Sequence, residues 1–179
     1  MFEITIPESD YYDEAQERFV TSKRQTLKLE HSLVSLSKWE SKWKKPFLSD
    51  KPKTWEETID YVRCMTITQN VNPDAYYAID ESGLKKIQEY INDSMTATWF
   101  RKDSNRPSRR IITSEVIYSQ MITLGIPVDF EKWHLNRLMT LIRVCSEENA
   151  PKKKMGKKEI LQQNRALNNA RRKQHHTRG

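Results

Sequence analysis

Basic residues are concentrated at the C-terminal end of the chain, and this constrains where a folded core can lie. Segment 151–179 contains ten lysines and arginines against the single acidic residue Glu159, so its formal charge is +9. The whole chain carries +7, which leaves −2 for residues 1–150. A dense run of like charges with few apolar residues repels itself and docks weakly. We therefore expect the core to lie within residues 1–150 and segment 151–179 to be a flexible or helical basic tail.

Residues 1–150 have the composition of a small, mainly helical domain. Only four of the 179 residues are glycine, which disfavours both a strand-dense architecture with many tight turns and a glycine-rich phosphate loop. Hydrophobic residues make up 36% of the chain, enough for a small core that excludes part of it. The predicted fold class is mainly α: a small helical domain with a short N-terminal β element before the helices and the basic tail after them.

Apolar and polar residues alternate at the N-terminus, in the run 2–6 and again in the run 26–30. Alternation of this kind is typical of half-buried strands, and the two runs are able to pair with each other. Residues 8–18 are polar and acidic, and we predict a loop there. The chain thus divides into three parts, which are the β element with its acidic loop (1–31), a helical body (32–150) and the basic tail (151–179).

Apolar residues at helical spacing predict the helices of the body. The first begins near residue 33 and carries a stripe of large apolar side chains. The second begins at Thr54, where Glu57 three positions later completes a capping box. A third begins at Ser82, and the last two run over about 113–124 and about 130–145.

The apolar stripe of the first helix contains two tryptophans and continues into the loop that follows. Its candidate site residues are Leu36, Trp39, Trp43 and Phe47. One interpretation places these side chains in the core, and the other makes them aromatic anchors for a partner's helix. The sequence leaves both interpretations open.

The helix predicted over 130–145 carries His134 and Arg137 among its apolar residues. A rotation of about 100° per residue places both side chains inside the apolar stripe. Because an unpaired buried charge is costly, we expect the two residues to form a hydrogen-bonded pair inside the fold. The alternatives are a contact with another subunit or a partner and, with the least support, a catalytic role.

The last two helices are predicted to form a hairpin around residues 125–128, and a helix-turn-helix DNA reader is the rival interpretation. In such a reader the second helix would open with Phe130, Glu131 and Trp133. An acidic residue and two large aromatics would stand where polar, base-reading side chains are expected. We therefore disfavour DNA recognition by this hairpin.

The sequence contains no recognisable motif for catalysis or metal binding. It has no nucleophile elbow, no zinc-protease motif and no phosphate-binding loop. Glu56 and Asp60 have a spacing that suits acid–base chemistry, but they belong to the charged start of a helix, where the helix dipole favours acidic residues. Cys64 and Cys145 form neither a zinc nor a disulfide pattern. We predict a protein that is not an enzyme and uses no cofactor or metal.

Neither a membrane protein nor an exported one is predicted. No apolar run approaches the roughly 20 residues that a bilayer span needs. The N-terminal residues are acidic and polar, unlike a signal or transit peptide. Two isolated cysteines suit a reduced, cytosolic environment.

The basic tail has no aromatic residue to stack on single-stranded bases. Contact of the tail with an acidic protein, or plain solvation, is therefore favoured over binding to nucleic acid.

Several short sequence motifs are spread over residues 27–179. They are LSKWE (36–40), WKKPFL (43–48), KTWEET (53–58), INDSMTAT (91–98), WHLNRL (133–138) and ALNNARR (166–172). In these motifs the chain resembles the tail assembly chaperones of long-tailed siphophages, especially those of actinobacteria. The resemblance implies a non-enzymatic role in building a viral tail.

Chaperones of this family bind the tape measure protein, the long helical protein around which the tail tube polymerises. They keep it soluble during assembly and are generally absent from the finished virion. The resemblance therefore implies that this chain acts in the host cytoplasm and that the tape measure protein is its partner. The tail tube protein is a second candidate partner, and self-association stays open. The chain would be the shorter product where a ribosomal frameshift also yields a longer one.

Two sets of residues are candidates for these contacts. The candidate partner-binding residues are Leu36, Trp39, Trp43, Phe47, His134 and Arg137. The residues of the basic tail able to steer an acidic partner are Lys152, Lys153, Lys154, Arg171 and Arg172. The alternative function is that of a basic nucleic-acid-binding or virion structural protein.

Overall fold

The computed structural model describes residues 1–13, 18–100, 111–150 and 156–175. The chain is mainly helical with short strands at the N-terminus, which confirms the predicted fold class. It divides into two units, Met1–Glu147 and Glu148–Gly179. In the described ranges, no helix is both long enough and apolar enough to cross a bilayer.

Short strands occupy the first 30 residues. They are β1 (Phe2–Ile6), β2 (Ser9–Asp13), β3 (Arg18–Ser22) and β4 (Gln25–Leu29). β1 pairs with β4 in antiparallel fashion, with Ile4 opposite Leu27, which confirms the pairing predicted from the alternating pattern. Ile6, Leu27 and Leu29 are buried, so one face of this sheet covers the helices.

The predicted loop over residues 8–18 is wrong for the part that the structure describes. β2 and β3 form a second antiparallel sheet of two strands, with Tyr11 opposite Val20. The acidic residues of the segment concealed its strand-forming aromatic and β-branched residues, whose backbone groups pair across the hairpin. Residues 14–17 of the predicted loop lie outside the described residues.

The helices follow the predicted order. They are α1 (Leu33–Trp43), α2 (Trp55–Met65), α3 (Glu81–Asn92), α4 (Ser114–Thr123), α5 (Leu135–Asn149) and α6 (Lys157–Gln174), with 3-10 helices at Pro73–Ala78 and Val128–Lys132. The capping box of Thr54 and Glu57 is confirmed at the start of α2. The N-cap of α3 is Asp80 rather than Ser82, because the Asp80 carboxylate accepts the Gly83 amide at 2.8 Å.

The helix predicted from residue 130 begins five positions later. Val128–Lys132 is a 3-10 helix, and the Trp133 amide donates to the Phe130 carbonyl at 3.0 Å, which closes its last turn. The His134 carbonyl then accepts the Leu138 amide and opens α5. His134 therefore precedes the helix, and residues 130–133 do not open a recognition helix.

α1 lies at the centre of the body and contacts both α2 and α4. The fully buried side chains around it come from strands and helices alike and include Leu27, Leu29, Leu33, Leu36, Trp39, Ile59, Met65, Ile117, Met121, Leu135 and Leu138. Each such side chain contributes about 1.5–3 kcal/mol on burial. The core thus joins the β1–β4 sheet to helices α1, α2, α4 and α5.

A buried carboxylate joins α1 to two other segments. Glu40 is 7% exposed. Its Oε1 atom accepts the Phe47 amide at 2.8 Å, and its Oε2 atom accepts the Ser114 amide at 2.7 Å. Thr113, the N-cap of α4, makes no side-chain capping bond, so Glu40 supplies that function from another helix.

Candidate partner-binding groove

A cavity of about 700 Å³ lies between α2, α3 and the loop 46–53. Its apolar lining consists of Phe47, Leu48, Val62, Leu84, Ile87 and Ile91. Ile87 is 3% exposed, whereas Leu48 at the edge is 41% exposed. We call this surface the α2–α3 groove. Apolar surface that a fold leaves accessible in a concave site is typical of a binding site.

α3 forms one wall of the groove because its apolar residues recur at helical spacing. Leu84, Ile87 and Ile91 lie at positions i, i+3 and i+7, which share one face of the helix. The helix is anchored to the sheet through Tyr90, whose ring stacks on Phe2 with the centroids 5.2 Å apart. The wall is therefore held in place by contacts that do not use the groove itself.

Aromatic rings form the floor of the groove. Phe47 stacks on Tyr61, with the ring centroids 3.8 Å apart and the planes inclined by 27°. The Tyr61 hydroxyl is hydrogen-bonded to Nδ1 of His31 at 2.6 Å, and burial raises the pKa of Tyr61. Since His31 precedes α1 and Tyr61 lies on α2, this bond ties two segments together beneath the apolar lining.

Charged side chains form the rim of the groove. The ammonium of Lys53 lies 4.3 Å from the centre of the Phe47 ring. Burial lowers the pKa of Lys53, and the nearby Glu57 carboxylate opposes that effect. Lys85 and Glu81 are exposed on the first two turns of α3 and also line the cavity. The rim thus carries two cationic groups and one anionic group around an apolar interior.

Two buried histidines lie side by side below the groove. The rings of His31 and His134 meet edge to face, with the centroids 5.1 Å apart. Burial, together with the neighbouring His134, lowers the pKa of His31 to about 3. Burial is also the main reason that the pKa of His134 is lowered, and its Nε2 atom lies 3.1 Å from the Tyr90 carbonyl. Both rings are therefore neutral in the folded protein near pH 7.

Acidification from pH 7 to pH 5 is expected to destabilise the fold through His31. Its pKa is about 3 in the folded protein and near 6.5 in the unfolded chain. Between pH 7 and pH 5 the unfolded state binds more protons at this residue than the folded state does. The contribution of His31 to the free energy of unfolding is therefore fully present above the unfolded pKa and is lost as the pH falls below it. For one such group the loss is about 2 kcal/mol at pH 5.

Urea unfolding at the two pH values measures this loss. The variant His31→Gln should lose less stability between pH 7 and pH 5 than the parent protein does. His175→Gln, at an exposed position directly after α6, is the matched control and should keep the parent's pH dependence. An unchanged pH dependence in the His31 variant would contradict the assignment.

The structure places the predicted tryptophan stripe in the core. Leu36, Trp39 and Phe47 are buried, and Trp43 is half-buried. The Trp43 indole donates to Oδ2 of Asp60 at 2.8 Å. Of these four residues, only Phe47 lines the α2–α3 groove. The core interpretation is therefore the one that the fold adopts, since a partner could not reach Leu36 or Trp39 without opening it.

The predicted pair of His134 and Arg137 does not form. His134 is buried and bonded to the Tyr90 carbonyl, whereas Arg137 is exposed, with its guanidinium 4.2 Å from the centre of the Trp133 ring. The prediction was wrong because α5 begins at Leu135, so the two residues do not lie on one helical stripe. Their predicted role in binding a partner stays a prediction.

Two of the five candidate residues of the basic tail belong to the described structure, and three do not. Arg171 and Arg172 are exposed in the last turn of α6. Lys152, Lys153 and Lys154 lie outside the described residues.

The sequence interpretation missed most of the groove. Leu84, Ile87 and Ile91 had a visible signal, because their helical spacing marks an apolar face. Leu48 and Lys53 had none, since they belong to a loop whose path depends on the packing of Phe47. Among the described residues, no group of three or more His, Cys, Asp or Glu side chains is placed to hold a metal ion.

No protein-family model, curated protein or solved structure matches this chain.

Proposed function

We propose that this protein is a phage tail assembly chaperone that binds an amphipathic helix of the tape measure protein in the α2–α3 groove. The binding keeps the tape measure soluble while tail tube subunits polymerise around it. The observation that carries the proposal is an accessible apolar groove built on two helices, with the half-exposed Leu48 at its edge. The choice of the tape measure protein as the partner rests on the short sequence motifs that resemble tail assembly chaperones.

The dimensions and lining of the groove suit a helix. A helix bound in a groove inserts the side chains at positions i, i+3, i+4 and i+7, and a slot of about 700 Å³ holds several of them. Leu84 and Ile91 are half-buried, so a partner's apolar side chains would complete their burial. A long helical protein with uncovered apolar stripes aggregates, and covering one stripe removes that hazard.

The rim adds an electrostatic preference. Lys53 and Lys85 border the groove, against the single carboxylate of Glu81. An amphipathic helix with acidic residues beside its apolar stripe would meet both lysines. Such contacts speed association and fix the register more than they add affinity.

Co-expression with the tape measure protein encoded by the same genome tests the proposal. The double variant Leu84→Glu with Ile91→Glu places charge on the wall of the groove. We expect the soluble fraction of the tape measure protein to fall to the level seen without the chaperone. Ile122→Glu, at a position on α4 that is 75% exposed and outside the groove, is the control and should leave solubility unchanged.

Circular dichroism of each purified variant establishes that it is folded. A folded groove variant that still solubilises the tape measure protein would contradict binding in the groove. A parent protein without any effect on solubility would overturn the chaperone proposal itself. Mass spectrometry of purified virions separates the chaperone from the alternative of a virion structural protein, because we expect the chain to be absent from them.

A further inference from the structure

Basic residues recur along α6 with a period of seven. Lys158, Arg165 and Arg172 are all exposed. Seven residues make almost two helical turns, so the three side chains form one stripe, which we call the basic stripe. It extends over fourteen residues, or about 21 Å of helix. Within the described residues of α6, the stripe runs from the first turn to the last.

Further cationic groups lie on both sides of the basic stripe. At about 100° per residue around the helix axis, Lys173 lies roughly 80° to one side of Arg165, the middle residue of the stripe. Arg171 lies roughly 120° to the other side. The side opposite the basic stripe carries uncharged residues that include Gln163, Leu167 and Ala170, all of them exposed. The helix therefore presents positive charge over a wide arc.

Amide side chains lie among the charges. Asn168 and Asn169 flank the basic stripe between Arg165 and Arg172, and both are exposed. Asparagine side chains hydrogen-bond both phosphate oxygens and base edges in nucleic-acid complexes. A solvated helix that served only to keep the protein soluble would not need its charges aligned at one period.

We propose that α6 binds double-stranded DNA, with the basic stripe facing into the major groove. An α-helix about 10–12 Å across fits a groove about 12 Å wide. Phosphates border that groove on both sides, where they meet Arg171 on one flank of the helix and Lys173 on the other. The contacts are chiefly to the backbone, so binding tolerates many sequences.

The residues of α6 disfavour other anionic partners. The helix has no aromatic residue to stack on single-stranded bases, and the major groove of duplex RNA is too narrow for it. Its exposed large apolar residues are only Ile160, Leu161 and Leu167, too few for an interfacial membrane helix. The cations of α6 cover a wide arc of the helix, whereas an acidic protein surface would contact only one of its faces.

Fluorescence anisotropy of the full chain with a labelled duplex of about 20 base pairs tests the proposal. Three phosphate contacts predict a fall in affinity of roughly 40-fold between about 50 and 200 mM salt. We expect the duplex to bind more tightly than a single strand of the same length. Equal or tighter binding of the single strand would overturn the proposal, and so would equally tight binding of vesicles with anionic phospholipid.

Two kinds of variant test the role of the basic stripe. The triple variant Lys158→Gln, Arg165→Gln and Arg172→Gln should weaken duplex binding at least tenfold and flatten its salt dependence. The control is the triple variant Lys38→Gln, Lys44→Gln and Lys51→Gln, which removes the same charge from exposed positions of the other unit. Equal losses in the two triple variants would show unspecific attraction by net charge and would overturn the proposal.

The helical form of the segment is tested without any change of charge. Ala166→Pro interrupts α6 in its middle and leaves every basic residue in place. We expect at least a fivefold loss of duplex affinity, because the stripe no longer lies on one face. Unchanged affinity would mean that an irregular basic segment suffices, which contradicts docking of a helix in the groove.

Discussion

Trp39→Ala is expected to cost about 3–5 kcal/mol of the free energy of unfolding, the scale of large aromatic truncations in a core. The indole is 1% exposed and meets the Phe47 ring edge to face, with the centroids 5.1 Å apart. Its Nε1 atom donates to the Glu57 carbonyl at 2.8 Å, so the variant also removes that hydrogen bond between α1 and α2. Most small domains have only 5–15 kcal/mol to lose. Urea unfolding followed by circular dichroism measures the effect.

Trp55→Ala is the matched control for that variant. Trp55 lies two positions before Glu57, but it is 50% exposed at the start of α2. We expect its loss to stay within about 0.5 kcal/mol, the usual range for surface positions. If Trp39→Ala remained as stable as the control and lost only the ability to solubilise the tape measure protein, Trp39 would be an anchor for a partner rather than a core residue.

Glu40 is the second position where we expect a large effect. Its buried carboxylate accepts the backbone amides of Phe47 and Ser114, one on each oxygen. Glu40→Ala leaves both donors unpaired, at about 1–3 kcal/mol for each N–H that finds no other acceptor. Glu40→Gln keeps one acceptor oxygen and turns an NH₂ group toward the other amide, so it should be intermediate. Urea unfolding of the parent, Gln and Ala variants gives the series.

The exposed Glu89 on α3 supplies the control, and Glu89→Gln should change stability by less than about 0.5 kcal/mol. The Glu40 variants should also expose the amides of Phe47 and Ser114 to hydrogen exchange. Equal stabilities of the parent and the Glu40→Ala variant would mean that water replaces the carboxylate at no cost and that the bridge does not hold α4.

Local signals predicted much of the secondary structure. The pairing of β1 with β4 followed from alternating residues, and the start of α2 followed from Thr54 and Glu57, because a strand pattern and a capping box act over a few residues. The same local reasoning failed at α5. There the chain makes a 3-10 turn first, and the bridge between Ser32 and His134 joins segments that are about a hundred positions apart.

The tertiary structure decided what the candidate residues do. A stripe such as Leu36, Trp39 and Trp43 has the same spacing whether it packs inside or outside, so only the placement of α2 and α4 around α1 could assign it to the core. The α2–α3 groove likewise depends on where the loop 46–53 lies, and that path is held by the Glu40 bridge and by the stacking of Phe47 on Tyr61.

The uneven distribution of charge along the chain, by contrast, was determined by the sequence alone. Segment 151–179 has ten basic residues and one acidic residue, and its few apolar residues cannot build a core in any arrangement. The period of Lys158, Arg165 and Arg172 is also present in the sequence, but it becomes a stripe only because α6 is helical there. Charge density and local periodicity are properties of the chain itself, whereas burial depends on contacts between residues far apart in it, and those exist only in the folded protein.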